Sequence, residues 1–268
     1  MTEPINSLLV FTKNWGFVGE RNAFPDDVLL LVFAFLVDAQ SICNIQRTCR
    51  TTRRWNYHTL QKFKLDWIYK NVEEVLGAGK TKYLRDGVVT KINTYVDCDR
   101  IGVEGVKAIG VVLKVNTSVT ELDFYHSNIG DEGIKAIGEA LKVNTSVTKI
   151  NLDLNHIGEE GGKAIGEALK VNTSVAMINF ERNNIGDEGV KAIGEALKVN
   201  TSLTKIGLQH NGIGDEGVKA IGEALKVNTS LTKIDLYNNE KIGDEGVRSI
   251  REALQVNTSC ECSLGLWP

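Results

Sequence analysis

The side chains able to do chemistry in this 268-residue chain do not assemble into a reactive set. Five cysteines, Cys43, Cys49, Cys98, Cys260 and Cys262, are the candidate nucleophiles and soft metal ligands. A structural zinc site needs four ligands, and no second pair lies near Cys260 and Cys262. Cys43 and Cys49 fall in an apolar helical stretch, where thiols pack as small hydrophobes. Gly79-Lys80-Thr81 has the closing residues of a phosphate-cradling loop, but Glu74 stands where that loop needs its first glycine. His126 and His210 lack the neighbouring acid and nucleophile of a hydrolase. Arg47, Arg50, Arg53 and Arg54 form a basic patch that reads as a solvated helix face. Six Asn-Thr-Ser triplets are formal glycosylation sequons, read here as turns between helix and strand. The expectation is a protein that is not an enzyme, with no catalytic residue, no metal and no cofactor.

Composition narrows the partners. Lys and Arg total 31 and Asp and Glu 34, leaving a net charge of −3. That balance excludes a strongly basic nucleic-acid binder, which needs clustered positive charge against phosphates. A hydrophobic content of 42% excludes a disordered acidic chain. Residues 28–37 are the most apolar run, shorter than the roughly 20 residues that span a bilayer. Asp26 and Asp27 precede that run, where a secretory signal carries positive charge. No membrane and no nucleic acid is expected. Scattered, odd-numbered cysteines without a signal segment predict a reducing compartment, cytoplasmic or nuclear.

The elements that position everything else come from a repeat. Asn-Thr-Ser begins at Asn116, Asn144, Asn172, Asn200, Asn228 and Asn257, a period of 28 with one step of 29. Ile101, Ile129, Ile157, Ile185, Ile213 and Ile242 follow the same spacing, each before a glycine. One residue is inserted around Glu240–Lys241. Within Leu203–Asn228, apolar residues at Leu203, Ile206 and Leu208 precede Asn211 and Ile213. Ile206 and Leu208 alternate as a short strand requires. Asn211, with Asn155, Asn183 and Asn239 at the same place, can bond backbone groups of the turn after the strand. Ser127 takes that place in the unit from Val119, which predicts a weaker ladder there.

The second part of each unit reads as a helix. Asp215 is placed as its N-cap or first-turn acid. Val218, Ile221, Ala224 and Leu225 share one face, with Lys219, Glu223 and Lys226 opposite. Gly217 and Gly222 cost helix propensity but permit close approach of a neighbour. Gly162 replaces the Val218-type residue, which predicts a local packing defect. A single unit orders too much chain for the apolar surface it buries, so only a stacked array is stable. Val89–Arg100 is expected as an irregular N-terminal cap strand. Cys260–Pro268 is expected as the C-terminal cap, with Leu264, Leu266 and Trp267 covering the last unit.

Over residues 89–266 this pattern resembles the ribonuclease-inhibitor-like class of leucine-rich repeats. The resemblance implies an α/β fold, a leucine-rich-repeat βα solenoid in a horseshoe arc. Parallel strands would line the concave face and helices the convex one. It also implies protein binding; a few members of the class activate GTPases, but no arginine stands apart here as a catalytic one.

The repeats serve as their own alignment. Their helical halves barely change, whereas the outward strand positions do. One column holds Glu121, Lys149, Met177, Lys205 and Lys233. The next holds Asp123, Asn151, Asn179, Gly207 and Asp235. Beyond them come Tyr125, Asp153, Glu181, Gln209 and Tyr237, then His126, Leu154, Arg182, His210 and Asn238. Tyr, Arg, His and Met suit protein contacts. The predicted partner face comprises Glu121, Asp123, Tyr125, His126, Lys149, Asp153, Met177, Glu181, Arg182, Lys205, Gln209, His210, Lys233 and Tyr237. The alternative is drift on an exposed face, but drift would also scatter changes over the exposed helix side.

Residues 22–68 break the period and have helical spacing. Pro25 fits the first turn of a helix reaching about Val37, with an apolar stripe of Val28, Leu29, Val32, Phe33 and Leu36. Phe24-Pro25, Asp26, Asp27, Asp38, Cys49-Arg50 and Trp67 resemble an F-box, an all-α module. Phe24 stands where the family has Leu, and Thr52 where it has Trp. The resemblance implies docking on the Skp-family adaptor of a cullin ubiquitin ligase through Phe24, Pro25, Val28, Leu29, Val32, Phe33 and Leu36. The alternative is a helical cap for the solenoid. The expected division is an extension over 1–21, the F-box-like module over 22–75 and the solenoid over 76–268.

The leading expectation is a substrate-recognition subunit of such a ligase, holding an unknown target protein on the concave face. The alternative is a leucine-rich-repeat scaffold or inhibitor without a ubiquitin role.

Overall fold

In the computed structural model the chain divides into two compact units, Met1–Trp67 and Ile68–Pro268. The structure describes residues 90–94 and 102–264, all in the second unit. The F-box-like stretch, Leu266 and Trp267 lie outside the described residues.

Among the described residues, seven three-residue strands alternate with six helices. The strands are β1 Lys91–Asn93, β2 Glu121–Asp123, β3 Lys149–Asn151, β4 Met177–Asn179, β5 Lys205–Gly207, β6 Lys233–Asp235 and β7 Glu261–Ser263. The helices are α1 Gly102–Leu113, α2 Gly130–Leu141, α3 Glu159–Leu169, α4 Gly186–Leu197, α5 Asp215–Leu225 and α6 Asp244–Val256. The strands form one parallel sheet in chain order, and each helix packs on the next. This is an α/β repeat fold of the leucine-rich type.

The apolar pattern explains the layering. Leu122, Ile150, Ile178, Ile206 and Ile234 pair in register as a buried column. Phe124, Leu152, Phe180, Leu208 and Leu236 form a second, fully buried column. Opposite them, Ile134, Ile165, Val190, Ile193, Val218 and Ile221 close the core from the helices. Burial of both flanks by neighbouring repeats stabilises what one repeat cannot.

Glycines set the helix spacing. A Cβ on Gly166 would lie 2.8 Å from the Ala192 carbonyl oxygen, so α3 and α4 touch backbone to backbone. At Gly162 the expected packing defect is corrected: a Cβ there would meet Gly189 Cα and Ile185 Cγ2 at 2.8 Å. The next helix occupies the space that the missing valine would have filled.

Two asparagine columns tie the repeats together. Asn172 Nδ2 donates to Leu141 O at 2.8 Å and Asn144 O at 3.0 Å in the preceding repeat. Its Oδ1 accepts from Ser174 N and Val175 N, closing its own turn. Asn144, Asn200 and Asn228 repeat the arrangement. In the second column, Asn183 Nδ2 donates to Leu152 O and Phe180 O, while its Oδ1 accepts from Asn155 N and Ile157 N. Each amide therefore bonds the preceding repeat as well as its own turn. Ser127 ends this column: its hydroxyl pairs with Thr94 Oγ1 and also donates to Tyr125 O.

The caps are strands. β1 extends the sheet at one end, at the place expected for an irregular strand. β7 extends it at the other, one residue out of step with the repeat alignment. By the 29-residue step Ser263 would face Ile234; instead Cys262 does. A one-residue slip exchanges the two faces of a strand, so the thiol rather than the hydroxyl turns toward the core. Burial pushes the Cys262 thiol up to about 12, as expected of an inert packing residue. Leu264 is half-buried.

Candidate functional site

The strand register aligns the outward residues. Lys91, Glu121, Lys149, Met177, Lys205, Lys233 and Glu261 face one another strand by strand. Asn93, Asp123, Asn151, Asn179, Gly207, Asp235 and Ser263 form the adjoining column. The open face of the sheet is hollowed into a depression of about 540 Å³. Of the predicted partner residues, Glu121, Asp123, Lys149, Met177, Lys205, Gln209 and Lys233 line it. Lys91, Asn151, Asn179, Gly207 and Asp235 line it as well. Lys91 went unforeseen because it belongs to the cap strand, outside the repeat; the other four were visible in the alternating column.

The remaining predicted residues sit just past the strands. His126, Arg182 and His210, with Leu154 and Asn238, have φ of 51–58°. The left-handed turn that follows each of β2 to β6 thus carries a full-sized side chain, a conformation few non-glycine residues adopt. Tyr237 is exposed and lies edge-on to His210, with ring centroids 6.4 Å apart. Tyr125 is half-buried and stacks obliquely beside His126 at 6.1 Å.

Electrostatics differ along the face. Lys149 bonds Glu121 at 2.8 Å, and that partner holds the Glu121 carboxyl below its usual range. Lys91 reaches Glu121 at 3.8 Å and Asp123 at 3.4 Å. Asn151 Nδ2 donates to Asp123 Oδ1, and Asn179 Nδ2 to Asn151 Oδ1, so the middle column is internally bonded. Asp153 is only 7% exposed. Its Oδ2 lies 3.7 Å from Arg182, which also binds Glu181 at 2.8 Å. Burial first, and the Glu181 charge second, push the Asp153 carboxyl above its usual range. Asp153 Oδ1 and Gln209 Oε1 are buried without a hydrogen-bond partner.

No group of three or more metal-binding side chains occurs among the described residues. No described helix is long and apolar enough to cross a membrane.

The family model of the TMOD/LMOD leucine-rich domain matches residues 71–209, just over half of the chain. The chain belongs to the TMOD/LMOD leucine-rich domain family. A leucine-rich-repeat model also matches residues 199–222 and 227–250. No F-box family match accompanies these. A solved structure of leiomodin-1 actin-binding site 2 is 26% identical, with 58% of this chain and 87% of that chain covered at a TM-score of 0.47. A tropomodulin C-terminal domain from Caenorhabditis elegans is 19% identical, with 57% and 93% covered at a TM-score of 0.46. No curated protein matches the chain.

Proposed function

We propose that this TMOD/LMOD-type repeat is a non-catalytic protein-interaction module whose partner lies on the open face of the sheet. One observation carries the reading. Side chains vary from repeat to repeat where they face the 540 Å³ depression and its rim, while the helix side repeats almost unchanged. Along one strand column Glu121, Lys149 and Met177 differ in charge and shape before lysine returns at 205 and 233, and the next outward column holds Tyr125, Asp153, Glu181, Gln209 and Tyr237, whereas Glu139, Glu167, Glu195 and Glu223 recur without change. A scaffold or inhibitor that holds a protein through Tyr125, Arg182 and Tyr237 fits this distribution.

The test compares partner binding by the intact chain, a Tyr125→Ala/Tyr237→Ala variant and a helix-side variant. Selective loss in the first variant supports the reading; equal binding by all three contradicts it. Actin, the partner for which the leiomodin-1 site is named, is a direct probe for that comparison.

A second reading keeps that surface for a target and adds an adaptor-binding module elsewhere in the chain. It rests on the F-box-like pattern of Phe24-Pro25, Asp26, Asp27 and the stripe Val28, Leu29, Val32, Phe33 and Leu36. Residues 22–75 would dock on a Skp-family adaptor of a cullin ubiquitin ligase in the cytoplasm or nucleus. A target on the open face would then be ubiquitinated by proximity. A Phe33→Asp/Leu36→Asp variant should lose adaptor co-purification while the repeat array stays folded. Co-purification that survives the double substitution removes this reading and leaves the scaffold.

A further inference from the structure

We infer that Lys205 and Lys233 form an anion-receiving strip for a carboxylate-rich, extended segment of a partner protein. The inference rests on the open face being the binding surface and names the chemistry that surface accepts.

The chain pairs its lysines by habit. On the helix side, all nine described lysines with a glutamate three residues earlier, in the helices or at their C-caps, close that ion pair. On the open face, Lys91 and Lys149 share Glu121. Lys205 and Lys233 are the exception on that face: both are exposed and neither makes an ion pair among the described residues. They are also in register on adjacent strands, where like charges repel. Glu261 stands opposite Lys233 without closing a bond, and the neighbour of Lys205 on its other side is Met177.

These two side-by-side cations close no ion pair among the described residues of the sheet. They fit two anions presented in a row. An extended segment places alternate side chains about 7 Å apart on one face, within the sweep of two flexible lysine stems on strands about 4.8 Å apart. Met177 supplies an apolar contact at the end of the strip, and Gln209 Oε1 in the same depression lacks a hydrogen-bond donor that a partner backbone N–H would provide.

The test titrates the full chain with a fluorescein-labelled ten-residue peptide alternating Glu and Ser, read by anisotropy. Lys205→Ala/Lys233→Ala should weaken binding about tenfold, the sum of two exposed charge contacts. Lys205→Arg/Lys233→Arg should retain it, as should helix-side Lys142→Ala/Lys170→Ala. Added salt should weaken it. Equal affinity for the double alanine variant, equal affinity for a Gln-Ser peptide, or binding by a phosphoserine peptide alone would each overturn the inference. If Tyr125→Ala/Tyr237→Ala still loses the Glu-Ser peptide while the lysine variants do not, the open face stands and only the acidic strip falls. If only the helix-side variant loses it, both fall.

Discussion

Asp131 Oδ1 accepts the backbone N–H of Gly158 at 2.7 Å and of Gly161 at 3.0 Å, so a carboxylate in one repeat caps the helix of the next. Asp187 does the same for Gly214 and Gly217, and Asp215 for Gly243 and Gly246. Where the acid is present, the first glycine of the following helix is extended, with φ of −98°, −113° and −103°. Where Val103 or Glu159 stands instead, Gly130 and Gly186 are left-handed, with φ of 54° and 59°, and bond Asn155 O and Asn211 O. The aspartate selects the helix start.

This relationship predicts a conformational switch by one methylene. Asp187→Ala should cost about 1 kcal/mol in urea unfolding, the usual worth of a cap. Glu159→Asp should stabilise by a similar amount, about 1 kcal/mol, by capping α4. Gly186→Ala, which forces a Cβ into left-handed backbone, should be costly in the natural chain and milder beside Glu159→Asp. Additive effects in that double-mutant cycle would refute the coupling.

The glycine at a helix contact is equally testable. Gly166→Ala pushes a Cβ against the Ala192 carbonyl, and overpacking of this kind costs about 1–3 kcal/mol. Gly162→Val, which restores the repeat consensus, should also destabilise, because Gly189 already fills the space. A more stable Gly162→Val protein, by thermal unfolding, would show that a void exists there after all.

Much of this architecture was legible in the sequence, and the failures share one cause. Asn211, Ile206 and Ile221 announced strand, turn and helix face through their spacing. A perfect repeat, however, cannot say whether Asp215 bonds its own helix or the next one, since the same residue types recur one period away. Asp215 sits in the first turn of α5, one of its two expected roles, but the cap it supplies goes to the neighbour: Gly214 is the N-cap residue of α5 without a side-chain cap bond, while Asp215 accepts from Gly243 N at the start of α6. Gly162 misled for the same reason: a deletion of volume in one repeat is answered by a shift in the next. On the open face the columns were correctly grouped because register follows period. The pairing of Lys149 and the isolation of Lys205 depend on which charges lie on adjacent strands, and needed the sheet.

The sequon asparagines carry a prediction about modification. Asn172 is 4% exposed and its amide nitrogen donates to two carbonyls of the preceding repeat. Folded protein incubated with an asparagine glycosyltransferase and sugar donor should keep its mass, while urea-unfolded chain becomes a substrate. Glycan on the folded protein would contradict the ladder. Asn172→Ala should cost about 2–3 kcal/mol, because it strands buried carbonyl and amide groups.

Asp153 predicts a pH effect on stability. Its carboxyl is raised in the folded chain, so the folded state holds that proton more tightly than the unfolded one. The stabilisation is complete below the ordinary carboxylate range and is lost as pH rises through the raised value. Asp153→Asn should therefore be the more stable protein at neutral pH and lose its advantage in acid. An advantage that grows in acid would reverse the assignment.

The central claim is that the open strand face, not the helix side, receives the partner. Its most direct measurement is partner affinity for three full-length chains: unaltered, Lys205→Glu/Lys233→Glu with Tyr125→Ala/Tyr237→Ala, and Lys142→Glu/Lys170→Glu/Lys198→Glu. The account predicts that the first and third bind alike and the second fails while remaining folded. Binding that survives in the second and is lost in the third would place the partner on the helices and contradict it.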